Sequence, residues 1–331
     1  MKAQVIKRFG DSSVFENAEI PKPEVIPGHV VIHVKATSVN PIDTKVRSGL
    51  VPAVAPELPA VLHGDVAGVV IEVGEGVTEF TAGDEVYGCG GGFKGTGGAL
   101  AEYMLADAQL LAPKPKNVTM AQAAALPLVT ITAWESLYNR ANVKKGQTVL
   151  VHAATGGVGH VAIQLAKLAG AKVFTTASSE EKLSIGKRLG ADVAINYREQ
   201  SVEKYVKEYT EGKGFDIVFD TVGGENLDRS FQAAATYGTV LAIAARSTHD
   251  LSPLHAKALS LHISFMLLKV MNKDRRKDYG KILREVTNLV EEGKLLPLVD
   301  EQTFTFDQVS EAHTLLESNK AIGKVVLTNE W

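Results

Sequence analysis

The chain has 331 residues, a formal net charge of -3, and 45% hydrophobic and 22% charged residues. That length suits about two domains with sizeable cores, and the near-neutral charge offers no footprint for nucleic acid or an anionic membrane. Cys89 is the only cysteine, which excludes an internal disulfide and a thiolate metal cluster. No run of about 18 apolar residues occurs and Met1–Val5 lacks an apolar signal core, so a cytoplasmic protein is expected.

The first third carries short β-branched or alternating runs at Ala3–Ile6, His29–Lys35, Val66–Val73 and Glu85–Tyr87. They are punctuated by Pro21, Pro23, Pro27, Pro52, Pro56 and Pro59. Few helical periods precede Met120, and the pattern predicts a compact, mainly β domain. The loop Gly88–Gly98 is rich in glycine around Cys89, Phe93 and Lys94. It reads as the border of a ligand pocket and a lid, or equally as a plain connection.

Ala121–Tyr138 is Ala-rich and helical in pattern, and from Thr148 strands and helices alternate. Strands are expected at Thr148–His152, Lys172–Thr176, Val193–Ile195, Phe215–Asp220, Thr239–Ile243 and Leu261–Met266. Helices are expected near 158–169, 180–189, 201–209 and 226–235. This rhythm predicts an α/β, doubly wound parallel sheet covered on both faces.

The first strand runs into Ala153-Ala154-Thr155-Gly156-Gly157-Val158-Gly159 and then a helix. Ala154, Gly156 and Gly159 take the three small-residue positions of the dinucleotide fingerprint. Small residues let the turn close, let backbone approach a pyrophosphate, and let helix and strand pack closely. The positive end of the helix then holds the anion. About 20 residues on, the second strand ends Thr175-Thr176-Ala177-Ser178-Ser179, with no acid until Glu180. A carboxylate there would accept from a ribose 2′-OH and repel a 2′-phosphate; its absence, with Lys182 following, points to NADPH. Ser178-Ser179 can also cap the next helix.

After Val270 a helix is expected through about Glu292, a capped helix over Phe304–Leu316, and a strand at Gly323–Thr328. This tail breaks the βα rhythm. Residues 1–122 and 271–331 are therefore assigned to one domain and 123–270 to an inserted nucleotide-binding domain, with the cleft expected between them.

These stretches together resemble the medium-chain dehydrogenase/reductase superfamily, in its zinc-free quinone oxidoreductase branch. The resemblance rests on Ser38-Val39-Asn40-Pro41-Ile42-Asp43-Thr44, Arg47-Ser48-Gly49, Gly64–Val70, Gly74–Asp84, Leu126–Trp134, the turn Ala153–Gly159, Phe215–Gly224 and Gly323–Leu327. It implies a GroES-like β domain, an alcohol dehydrogenase-like Rossmann domain, and commonly a homodimer joined near Thr239–Met266. It also implies Asn40, Asp43 and Thr132 at the reacting end of the cofactor, with Thr44 beside them and Thr132 bonding the carboxamide. Cofactor contacts are implied at Ala154, Thr155, Gly156, Gly157, Val158, Gly159, Ser178, Lys182, Tyr197, Thr221, Val222, Ala242 and Ala244. Lys45 stands where many relatives carry a cofactor-contacting tyrosine.

Zinc-bearing relatives have a cysteine in the segment here occupied by Asn40–Asp43, and Gly-His-Glu where this chain has His63-Gly64-Asp65. Zinc needs three or four converging N, S or O ligands, and no pair among His63, Asp65, Asp43 and Cys89 has ligand spacing. A metal-free site is expected, with His63 a hydrogen-bonded loop residue near the surface and Cys89 an ordinary thiol. The reaction implied is hydride transfer to a small quinone or to the β-carbon of an enone or enal, with no nucleic-acid or membrane partner. Alternatives are an enoyl-thioester reductase, for which Lys273–Lys277 is the only dense basic run, and an NADPH-binding scaffold or sensor with little turnover.

Overall fold

The computed structural model describes residues 1–331. The chain divides into two compact units: Met1–Ile131, Met266–Gly293 and Pro297–Trp331 make the first, and Thr132–Phe265 with Lys294–Leu296 the second. In chain order the second unit is inserted into the first.

The first unit is built on one sheet whose strands run Val299–Thr305, Lys324–Thr328, His29–Ser38, Asp65–Val73, Glu85–Cys89 and Leu111–Pro113, with Tyr103–Asp107 also paired to His29–Ser38. All pairs are antiparallel except Val299–Thr305 with Lys324–Thr328. The long strand His29–Ser38 is buried along most of its length, consecutive residues included, so both of its faces are covered. A separate antiparallel pair joins Lys2–Ile6 to Phe15–Glu19. The helix Pro41–Arg47 interrupts the β pattern. Its signal was local: Asn40 at the N-cap, Pro41 at the first helical position and Asp43 in the first turn.

The second unit is a parallel sheet. Its strands are β1 (Thr148–Val151), β2 (Lys172–Ala177), β3 (Val193–Asn196), β4 (Phe215–Asp220), β5 (Ala234–Ala242) and β6 (Ser260–Ile263). The connecting helices are α1 (Gly157–Leu168), α2 (Glu180–Arg188), α3 (Val202–Thr210) and α4 (Glu225–Ala233). Spatial order is β3-β2-β1-β4-β5-β6, every pair parallel. This is the doubly wound order in which the sequence of strands reverses beside β1, the point where such sheets take ligands at their carboxyl ends. Leu150, Phe174, Ile195, Phe215, Val218 and Val240 form the centre of its core.

Beyond shifts of one or two residues, three expected strand or helix boundaries after Thr148 differ. β5 begins at Ala234, five residues early, because its register with β4 shifts between Phe215 and Ile217 and Tyr237 takes a left-handed φ of 62°. β6 ends at Ile263. Phe304 and Thr305 finish a strand, so the helix expected over 304–316 starts as a tight turn at Phe306 and becomes α-helical at Val309–Glu317.

Candidate active site

In the second unit, β1 delivers the chain into a turn where Ala153 adopts φ 58° and Gly156 caps α1. Gly156 has no side chain, and no side chain caps the helix from elsewhere. The first amides of an α-helix have no intrahelical acceptor, so Gly157, Val158 and Gly159 present N–H groups at the positive end of a 12-residue helix, as an anion site requires. A Cβ on Gly159 would lie 2.0 Å from the Ala153 carbonyl oxygen, and one on Gly156 only 3.3 Å from it. The two glycines are therefore demanded by different things: Gly159 by close packing of helix on turn, Gly156 by an open cap. Ala154 is fully buried and serves the packing role, while Thr155 is nearly buried beside it.

At the end of β2, the Ser179 hydroxyl caps α2 by accepting from the Lys182 N–H at 3.4 Å. Ser178 is left out of that cap and is half-buried, as is Lys182. Tyr197, just past β3, is half exposed. The strand ends on the other side are laced together: Thr221 donates to the His152 carbonyl at 2.7 Å. Asp220 accepts from the Val222 and Gly223 amides at 2.8 and 2.7 Å and from Asn226 and Ser230 at 3.0 and 2.9 Å. Val222 itself is exposed. A Cβ on Gly223 would meet the Ala244 carbonyl at 2.2 Å, so the loops after β4 and β5 lie against each other; Ala242 is buried and Ala244 half-buried. Thr132 is buried, and its carbonyl accepts from Ser136 at 2.7 Å.

The first unit brings Asn40 and Asp43 into a buried polar cluster organised by Asp65, weighed in the sequence only as a metal ligand, and by Lys324, which the sequence reading did not single out. Asp65 Oδ2 accepts from Ser38 at 2.9 Å, from Asn40 Nδ2 at 2.8 Å and from Lys324 Nζ at 3.4 Å, while its Oδ1 accepts from the Leu128 amide at 2.9 Å. Lys324 also donates to the Val39 carbonyl at 3.0 Å and, by a short bond, to Asn40 Oδ1. The Asn40 amide is thus held at both ends, and which end is oxygen is dictated by an ammonium on one side and a carboxylate on the other. Burial pulls the Lys324 ammonium below its ordinary value, opposed by the charges of Asp65 and Asp43.

Asp43 Oδ2 accepts from the Asn40 backbone N–H at 2.8 Å. Its carboxyl is pushed up to about 7, chiefly by burial and further by the Asp65 charge. Thr44 spends its hydroxyl on the Pro41 carbonyl at 3.1 Å, and Lys45 is exposed. Asn40 and Asp43 have 0% and 1% of their surface open, so both side chains lie inside the first unit.

His63 was expected near the surface and is instead fully buried. The reason is a partner far along the chain. His63 Nε2 meets His313 Nε2 at 2.8 Å, and His313 Nδ1 meets Arg47 Nη1 at 3.1 Å. A guanidinium only donates, so His313 Nδ1 accepts and its Nε2 carries the proton. That proton goes to His63 Nε2, which leaves His63 Nδ1–H facing Thr37 Oγ1 at 3.4 Å; Thr37 donates in turn to the Asp65 carbonyl at 2.5 Å. The order requires both imidazoles neutral. Burial supplies this, holding His63 near 3 and His313 well below the usual imidazole range, with neighbouring cations acting in the same sense. Arg47 completes the chain at Glu317, 2.7 Å away.

No group of three or more His, Cys, Asp or Glu side chains is arranged to hold a metal ion. Cys89 is buried, and burial raises its thiol well above the ordinary value. The glycine loop lies flat against the chain near His63: Cβ atoms at Gly92 and Gly98 would strike the backbone of His63 and Leu62. Of that loop only Lys94, Gly95 and Gly97 are exposed, so most of it is packed scaffold.

Residues 26–116 match the family described as alcohol dehydrogenase GroES-like domain, and residues 189–327 the family described as zinc-binding dehydrogenase. The chain is 36% identical to the chloroplastic NADPH-dependent alkenal/one oxidoreductase of Arabidopsis thaliana, over 99% of this chain and 79% of that one. It is 32% identical to the quinone oxidoreductase of Homo sapiens, over 99% and 97%. The chain belongs to the medium-chain dehydrogenase/reductase superfamily, in its quinone oxidoreductase branch. Among solved superfamily structures, an alcohol dehydrogenase superfamily protein from Novosphingobium aromaticivorans superposes with a TM-score of 0.94 at 40% identity, covering 99% of both chains. A mycobacterial protein solved in complex with NADPH gives 0.88 at 32%, covering 99% and 100%. The superfamily accounts for both units, the GroES-like sheet and the Rossmann sheet.

Proposed function

We propose that this chain is an NADPH-dependent reductase that delivers hydride to a quinone or to the β-carbon of an α,β-unsaturated carbonyl compound. The observation that carries the reading is the uncapped amide cluster opening α1, followed at the end of β2 by Ser178 and Lys182 where a carboxylate would select NADH. The residues fit the cofactor: the cap is a glycine, the close approach at Gly159 leaves no room for a side chain, and the serine next to the α2 cap is uncommitted. When bound, NADPH supplies the hydride. The protein's share is to seat the pyrophosphate on the α1 amides, to seat the 2′-phosphate at Ser178 and Lys182 with Tyr197 beside them, and to hold the nicotinamide end by Thr132, Thr221, Val222, Ala242 and Ala244.

Asn40 and Asp43 serve the acceptor end through the buried cluster that fixes them. Asp43, half protonated near neutrality, stores a proton at the start of the helix Pro41–Arg47. Catalysis without zinc suits these acceptors, because the charge arriving at carbon is delocalised onto a distant oxygen and needs no Lewis acid. The same reading includes a cytoplasmic homodimer joined through the edge strand β6.

The test is oxidation of NADPH, followed at its absorbance maximum, against 9,10-phenanthrenequinone, an enone, an aldehyde and crotonyl-CoA. Turnover with the first two is expected; tight NADPH binding with no acceptor reduced would refute the reading. Lys182→Ala should raise KM for NADPH about tenfold or more while leaving NADH nearly unchanged, and an equal rise for both would remove Lys182 from the 2′-phosphate site.

A further inference from the structure

The loop after β5 and the first turns of α4 place three side chains in a file that hydride transfer does not use. Ser247 Oγ lies 2.5 Å from His249 Nε2, and His249 Nδ1 lies 2.9 Å from Asp228 Oδ1. The order is nucleophile, base, orienting carboxylate. The carboxylate only accepts, so it fixes the proton on Nδ1 and leaves Nε2 to accept from the serine hydroxyl. The His249 side chain is 9% exposed, set edge-on against Phe231 with ring centroids 6.2 Å apart. Ser247 is open to solvent. A serine activated in this way is recognised by its geometry and the roles of its partners, on any fold and in any chain order.

We propose that Ser247, His249 and Asp228 form an acyl-transfer site for small activated carboxylic esters, such as aryl acetates and small thioesters. Ser247 Oγ bonds to the acyl carbon as His249 Nε2 takes its proton. The bond to the alcohol or thiol breaks, and that leaving group departs with the proton from His249. Water then attacks the acyl-serine with His249 again as base, releasing the acid and restoring the hydroxyl. No electrons are exchanged with an outside reagent. Because Ser247 stands at the surface instead of the floor of a pocket, the substrate must bring its own good leaving group, which confines the activity to activated esters.

The full chain supplies internal controls. Ser13 and Ser252 are also exposed, and each hydroxyl bonds a carboxylate, Asp11 or Asp250, at 2.6 Å with no histidine between. Incubation with p-nitrophenyl acetate, peptide mapping by mass spectrometry and release of p-nitrophenolate read the outcome. Acetylation of Ser247 should run at least tenfold ahead of Ser13 and Ser252. His249→Gln should slow it about a hundredfold, the usual reach of a general base, and Asp228→Asn should slow it with the ring packing intact. The melting transition of each variant reports that the unit is folded. Equal labelling of the three serines, labelling of Ser247 that ignores both substitutions, or ester cleavage surviving Ser247→Ala would overturn the proposal.

Discussion

Lys324 occupies a buried position that only its three acceptors make tolerable, and Asp65 is equally dependent on it. Removing one member of such a pair leaves a charge without water or counter-charge, at a cost of about 3–5 kcal/mol. Lys324→Met is therefore expected to lower unfolding stability by that amount in urea titrations. Adding Asp65→Asn should recover more than half, since the double variant buries no lone charge. A single-variant loss below about 1 kcal/mol would show that the pair does not hold the Asn40 side chain in place. The sequence displays a lysine in the apolar run Lys324–Thr328, but its partner is 259 positions away, beyond the reach of periodicity. The same is true of His63, whose burial is decided by His313 at a separation of 250.

At the level of elements, the turn between β1 and α1 is where local chemistry and tertiary packing agree. Its strand, small-residue spacing and helix were all legible, because each is encoded within a dozen residues. Gly159→Ala is expected to destabilise the protein by about 1–3 kcal/mol through overpacking, with its new methyl driven at the Ala153 carbonyl. It should also weaken NADPH binding about tenfold or more by tilting the α1 amides, read by fluorescence titration of the cofactor. Unchanged affinity in a folded variant would mean that α1 does not seat the pyrophosphate. Less legible were the helix Pro41–Arg47, about two turns inside a β region, and the early start of β5, where a register shift overrides the helix pattern. The helix is short, and the start of β5 is set by its pairing with β4.

For the whole molecule, buried ionisable groups predict the response to pH. His63 and His152 are held near 3 and 4, mainly by burial, and His313 well below the imidazole range. Their folded values lie below the unfolded value, so the unfolded chain binds more protons and stability falls as pH drops below about 6.5. Asp43 has the opposite sign. Its folded value of about 7 lies above that of an unfolded aspartate, so the folded chain binds more protons from about pH 4 to 7 and stability falls as pH rises through that window. Three histidines outweigh one aspartate. Unfolding free energy should be roughly 3 kcal/mol lower at pH 5 than at pH 6.5, then level off toward pH 8. Asp43→Asn removes the opposing contribution and should steepen the acid loss to roughly 5 kcal/mol, measured by urea unfolding across that range.

The insertion of one unit into the other bears on synthesis. Residues 132–265 leave the ribosome as a complete Rossmann sheet while the surrounding unit still lacks His313, Glu317 and Lys324. Until those last residues emerge, Asp65, His63 and Arg47 wait without their counterparts, so the guest closes before the host. A nascent chain stalled after Gly293 should therefore protect its middle from protease and leave its beginning open to cleavage.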